Sequence, residues 1–162
     1  MAAYYRKVDK AITANGGLVG ATAGWATTGA TLNTHTLATL PASQTASTMT
    51  VPVTGIKVGD KINAFYAVGQ IESAGGTVTL DIALRKQTMA AAEPTDAAVG
   101  SITQISVTAD TIISTANARK AELDVTVAAD EIYYFLITAT TGGSTDIRLH
   151  GLVVEHRAQL HN

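Results

Sequence analysis

The sequence predicts an all-β chain, an antiparallel β-sandwich of jelly-roll type with an extended N-terminal arm. Three observations lead there. From His35 onward, apolar residues mostly alternate with polar ones, and side chains on a strand point to opposite faces with a period of two. Turn signals built on Gly, Asp and Pro separate these runs at the intervals typical of sandwiches. The third observation is the stretch from Ala121 to His156, which holds three strand-like runs and two turns. Leu123, Val125 and Val127 alternate with Glu122, Asp124 and Thr126. Ile132 to Thr140 is apolar at nearly every position. A continuous apolar run marks a strand covered on both faces. This run is therefore expected to be central, with its sequence neighbours on either side. Asp146 to His156 alternates again, Ile147, Leu149, Gly151 and Val153 against Asp146, Arg148, His150 and Leu152. Ala128-Ala129-Asp130 and Thr141-Gly142-Gly143-Ser144 read as the turns.

The arm covers residues 1–34. Tyr4, Val8 and Ile12 fall four apart, which predicts a short helix ended by Asn15-Gly16-Gly17. A helix this short needs a partner surface to persist. Gly16, Gly17, Gly20, Gly24 and Gly29 then interrupt any regular period. Trp25, the single Trp, lies among them. It has two possible destinations, its own sandwich or a neighbouring subunit, since Trp is enriched where interfaces bind most tightly. The groups that suit the arm to a partner are Tyr4, Tyr5, Arg6, Lys7, Val8, Ile12 and Trp25, with Arg6, Lys7 and Lys10 forming a positive end.

The sandwich is expected over residues 35–157, with a tail at 158–162. Thr36 to Leu40 opens it and Pro41 closes that strand. In Thr48 to Val53, Met49, Val51 and Val53 share a face, and Pro52 assigns the strand to an edge. Lys61 to Glu72 is long, and Ser73-Ala74-Gly75-Gly76 reads as a hairpin turn into Thr77 to Lys86. There Val78, Leu80, Ile82 and Leu84 form one face. Met89 to Ala98, broken by Pro94, reads as a loop or one helical turn. Ser101 to Ala109 and Thr111 to Thr115 are two strands, or one bent near Asp110. Eight or nine strands suit a jelly roll. An immunoglobulin-like sandwich is the alternative; the Cys…Trp…Cys pattern of its disulfide-bearing members is missing.

Composition narrows function. The 162 residues include no Cys, which removes disulfides and thiolate chemistry. Formal net charge is −2 with both signs interspersed, so no electrostatic footprint for nucleic acid is present. No apolar run reaches the ~20 residues a membrane helix needs, and no signal-peptide pattern follows Arg6 and Lys7. Only 15% of residues are charged, against about 25% in ordinary soluble domains. That suits a surface that meets other subunits, though Thr also simply favours strands.

Candidate chemistry is sparse. His35, His150, His156 and His161 are scattered; His150 and His156 are expected to share one face of a strand but sit about 20 Å apart by its rise, too far to ligate one metal. Asp130-Glu131 sits at a turn, and Glu122 and Asp124 sit on a wet face, so neither pair reads as the two carboxylates of a glycosidase. No dense Asp/Asn loop offers calcium its six to eight oxygens. Nucleophile elbow, P-loop and dinucleotide fingerprints are missing. Tyr66, Tyr133, Tyr134 and Phe135 could stack on a sugar, but Tyr133 and Phe135 face opposite to Tyr134. No enzyme activity, metal or cofactor is expected.

VPVTGIKVGDKINAFYAV (Val51 to Val68), the segment Ala128 to His156 and the Ala/Thr/Gly-rich arm carry a resemblance. In composition and strand layout the chain resembles small virion proteins of tailed bacteriophages, jelly-roll capsid decoration (cement) proteins in particular. The likeness runs from Thr36 to His156 and transfers no residue roles by position. It implies a homo-oligomer, commonly a homotrimer, on the capsid exterior, assembled in the host cytoplasm and clamping subunits of the major capsid protein. The alternative is a tail-fibre, receptor-binding or carbohydrate-binding module.

Overall fold

The computed structural model describes residues 4–12, 24–26, 38–73, 76–89, 92–114 and 120–160, the backbone alone at 4–12, 104 and 160. These form ten strands: β1 (Tyr4–Ile12), β2 (Ala38–Leu40), β3 (Ser47–Pro52), β4 (Lys61–Ser73), β5 (Val78–Thr88), β6 (Thr95–Val107), β7 (Thr111–Ile113), β8 (Lys120–Thr126), β9 (Glu131–Thr141) and β10 (Thr145–Leu160). The chain is an all-β sandwich of two antiparallel sheets. The first has the order β1-β10-β4-β7, with β2 also on β10 and β8 also on β4. The second has the order β3-β9-β5-β6.

The pairing is nested. β5 pairs with β6, β4 with β7 and β8, β3 with β9, and β2 with β10. These pairs lie one outside the next, as if one long hairpin had been wrapped into two layers, and β4–β10 and β5–β9 are the lateral pairings that the wrapping brings together. β1 adds a further partner on β10, opposite Leu152–Leu160, beyond the three residues that β2 covers.

The alternation seen in the sequence fills the space between the sheets. Val78, Leu80, Ile82 and Leu84 of β5 are fully buried, as are Phe135 and Ile137 of β9 and Ile147 and Val154 of β10. Met49 and Val51 line the inner face of β3, which is an edge strand ending at Pro52. Phe65 and Phe135 meet edge to face, with ring centres 5.5 Å apart, joining the two sheets.

Several expectations change. Tyr4–Ile12 is a strand rather than the short helix. Its nine residues, Tyr4, Tyr5, Val8 and Ile12 with strand preference among them, all pair along β10, and an isolated helix would gain no such partner. The turns at 73–76, 128–130 and 141–144 carry the chain from one sheet to the other and close no hairpins. β9 is central, but its neighbours are β3 and β5 rather than β8 and β10. Among the described residues the one hairpin, β5–β6, spans the segment expected to be a loop: β6 begins at Thr95. Within β10 the phase slips between Leu149 and Gly151, at His150, and a second bulge in the same pair sits on β4, at Asn63 opposite Glu155 and His156. The first bulge turns Leu152 and Val154 inward in place of Gly151 and Val153. His156 is consequently buried and His150 is half-buried, so the two do not share an outer face.

Candidate interaction surfaces

The polar side chains at the rim are engaged in structural contacts. Glu131, next to the tight turn in which Asp130 takes a left-handed φ of 62°, is nearly enclosed. It pairs with Lys86 and accepts from the Ala128 N–H at 2.9 Å and the Tyr133 hydroxyl at 2.7 Å. Burial pushes the Glu131 carboxyl upward, but these three partners together outweigh burial and hold it below the usual range. Burial and Glu131 both push the Tyr133 phenol up.

Asp60 plays a similar part at the same end. Its carboxylate accepts from Lys57 N at 2.9 Å and Gln159 N at 3.1 Å, and its carbonyl accepts from Val127 N at 2.8 Å. His156 Nδ1 lies 3.2 Å from Asp60 Oδ2, off the line of a hydrogen bond. Asp60 thus ties the loop before β4 to the ends of β8 and β10. No group of three or more His, Asp or Glu is placed to hold a metal among the described residues.

The two outer faces differ in charge. On the first sheet, Lys61 meets Asp124 at 2.5 Å, and Lys120 meets Glu155 at 3.1 Å and Glu122 at 3.2 Å. Arg148 grips both oxygens of Glu72 at 2.7 Å and also reaches Asp146 at 2.9 Å. Glu155 first, then Glu122, holds the Lys120 ammonium above its ordinary pKa. The outward positions of the second sheet read Thr48, Thr50 and Pro52 on β3, then Ile132, Tyr134, Leu136, Thr138 and Thr140 on β9. On β5 they read Thr79, Asp81, Ala83, Arg85 and Gln87. Among the described residues the charges at outward positions there are Asp81, Arg85 and Asp96, and Arg85 holds Asp96 through Nε at 3.0 Å and Nη2 at 2.5 Å. Tyr134 donates to the same carboxylate at 2.7 Å. Arg85 first, then Tyr134, keeps the Asp96 carboxyl low.

The central strand of this sheet carries the discrepancy that matters most. Its continuous apolar run predicts cover on both sides. Tyr133, Phe135, Ile137 and Ala139 are buried between the sheets. Ile132 is 52% exposed, and Tyr134 and Leu136 are half-buried on the outside.

The expected partner-binding residues separate into two places. Tyr4, Tyr5, Arg6, Lys7, Val8 and Ile12 lie along β1, opposite Leu160, Gln159, Ala158, Arg157, His156 and Leu152; their side chains lie outside the described residues. Trp25 is remote from that register. It is buried in the core of its own sandwich, the first of its two expected destinations, and its indole N–H donates to the Ser47 carbonyl at 3.3 Å. The adjacent Ala26 bridges Thr39 of β2. Leu18, Val19, His35 and His161 lie outside the described residues. The aromatic candidates are divided too. Tyr133 and Phe135 are core, while Tyr66 and Tyr134 are half-buried on different sheets. What sequence reading missed is the neutral outer face of the second sheet. The signal was present in the unbroken apolar run of β9. No family model matches the chain, and no curated protein matches it.

Proposed function

We propose that this chain is a non-enzymatic structural protein of a bacteriophage virion, decorating the capsid exterior and stabilising it by binding the major capsid protein as a homo-oligomer. The observation that carries the reading is the nested order of the strands. We read the pairing of β2 with β10, β3 with β9, β4 with β7 and β8, and β5 with β6 as the wrapped hairpin of a jelly roll. That architecture recurs in capsid and lectin domains, and its use here is an argument from fold by analogy. Two further features support adhesion. The carboxylates that could act as acids or bases, Glu131 and Asp96, each hold a cation and a tyrosine in place. One whole sheet face is nearly free of charge, which suits burial against protein.

A carbohydrate-binding module would ordinarily show an aromatic platform. Among the described residues Tyr66 and Tyr134 stand on different sheets, which favours capsid binding over this alternative. The test is co-expression with the major capsid protein encoded in the same genome. The chain should sediment with assembled shells and be resolved on their outside by electron microscopy. A chain found with tail structures, or on immobilised glycans and never on shells, overturns the proposal.

A further inference from the structure

We propose that the outer face of the second sheet is a self-association surface, and that its occupant is the same face of a second copy of this chain, related by a two-fold axis. The inference rests on the homo-oligomer in the reading above and names the surface that forms it.

The centre of the face is the row Thr50, Leu136, Ala83 and Ser101, which are direct partners across β3, β9, β5 and β6. These side chains are small or apolar and uncharged, so another sheet can approach to the ~10 Å at which sheets pack. Ile132 and Tyr134 extend the apolar stripe toward one end of β9, and Thr138 and Thr140 toward the other. The strand is apolar enough to be covered twice, yet the described chain covers it once.

Charge identifies the occupant. On β5, Asp81 and Arg85 lie two residues either side of Ala83 and point the same way. A two-fold axis running across the strands through the central row lays β9 over β9 and β5 over β5 with directions reversed. Asp81 of each copy then meets Arg85 of the other, and this happens twice. Leu136 meets its own symmetry mate. Isologous contacts require this self-complementarity, with residue i on j and j on i. Arg85 can serve both Asp96 and the incoming Asp81, because a guanidinium carries five donors in a fork. The first sheet offers a poorer match. Its outer face is crowded with Lys61, Lys120, Arg148 and their carboxylates, whose desolvation in an interface is costly.

The test is particle mass by light scattering on the full chain at high micromolar concentration, with three variants. Wild type should contain an even number of chains of 16.7 kDa. Leu136→Lys, Asp81→Arg and Arg85→Glu should each halve the mass while circular dichroism stays that of a folded β protein. Mixing D81R with R85E should restore the wild-type mass, because each copy then offers the charge the other lacks. A monomeric or trimeric wild type overturns the proposal. So does an unchanged mass for D81R and L136K, or a D81R and R85E mixture that stays dissociated. Capsid binding by a chain that never pairs defeats this surface alone. Pairing without capsid binding defeats the virion reading alone.

Discussion

Glu131 shows how one residue can hold a rim together. It links Lys86 on β5, the Ala128 amide in the preceding turn and the Tyr133 hydroxyl. Replacing it with Ala strands a buried phenol, which should cost about 1–3 kcal/mol; urea melts of E131A would read this. Its folded pKa is lowered from 4.5. The stability it contributes is therefore present above the unfolded value and is lost as pH falls through the lower, folded one. Wild type should lose stability more steeply than Glu131→Gln between about pH 5 and pH 2. Identical pH profiles would contradict this role. Trp25 is a second single-residue test, because its ring sits in the core cluster and its N–H is bonded. Trp25→Ala should cost about 3–5 kcal/mol, read by thermal or urea unfolding. A near-neutral result would mean that Trp25 belongs to a partner.

Among elements, the long pair β4–β10 is the spine of the first sheet, and its bulge is built around a close approach. A Cβ on Gly69 would come within 2.5 Å of the Arg148 carbonyl oxygen, a backbone atom with little room to move. Gly69→Ala should destabilise by about 1–3 kcal/mol through forced backbone shifts, measurable as a lowered melting temperature. β1 stands at the other extreme. β10 is its hydrogen-bonding partner, in a register that sets Lys7 against Arg157 and Asp9 against Glu155. Like charges directly opposite weaken a strand pair. Deletion of residues 1–12 should leave a sandwich that melts cooperatively and self-associates while capsid binding weakens. Deletion through Thr34 would also remove Trp25 from the core and would confuse the two effects. Unfolding of the shorter deletion would place β1 in the stable core. These elements also show how much was legible in the sequence. The period-two pattern placed β3, β4, β5, β8 and β9 to within a residue or two, because a half-buried strand must alternate. It failed where one residue slips the phase, as near His150, and where a tight turn joins sheets instead of neighbours. Alternation reports which face is buried and carries no information about which strand lies alongside. The site was less legible still: its outer face depends on β3, β5, β6 and β9 lying together, and they are dispersed along the chain.

At the scale of the whole molecule, the division of charge between the sheets is the main organising fact. One outer face is laced with ion pairs, and the other is largely Thr, Ser, Ala and the Ile132–Leu136 stripe. Surface pairs contribute little to stability, so the first sheet is a solvated face. The second is the face that another protein layer can cover. Among the described residues no strand lies over this face, and six connections cross between the sheets, β2–β3, β3–β4, β4–β5, β6–β7, β8–β9 and β9–β10. On the proposed function the protein acts by adhesion, and that function should be lost through its surfaces before its core. The most direct measurement is add-back. Shells assembled without the chain are mixed with the purified full-length protein, and bound copies per shell are counted after sedimentation. The account predicts saturable binding to the shell exterior and shells that withstand higher temperature. Protein that stays in the supernatant, with shells that melt as before, would contradict it.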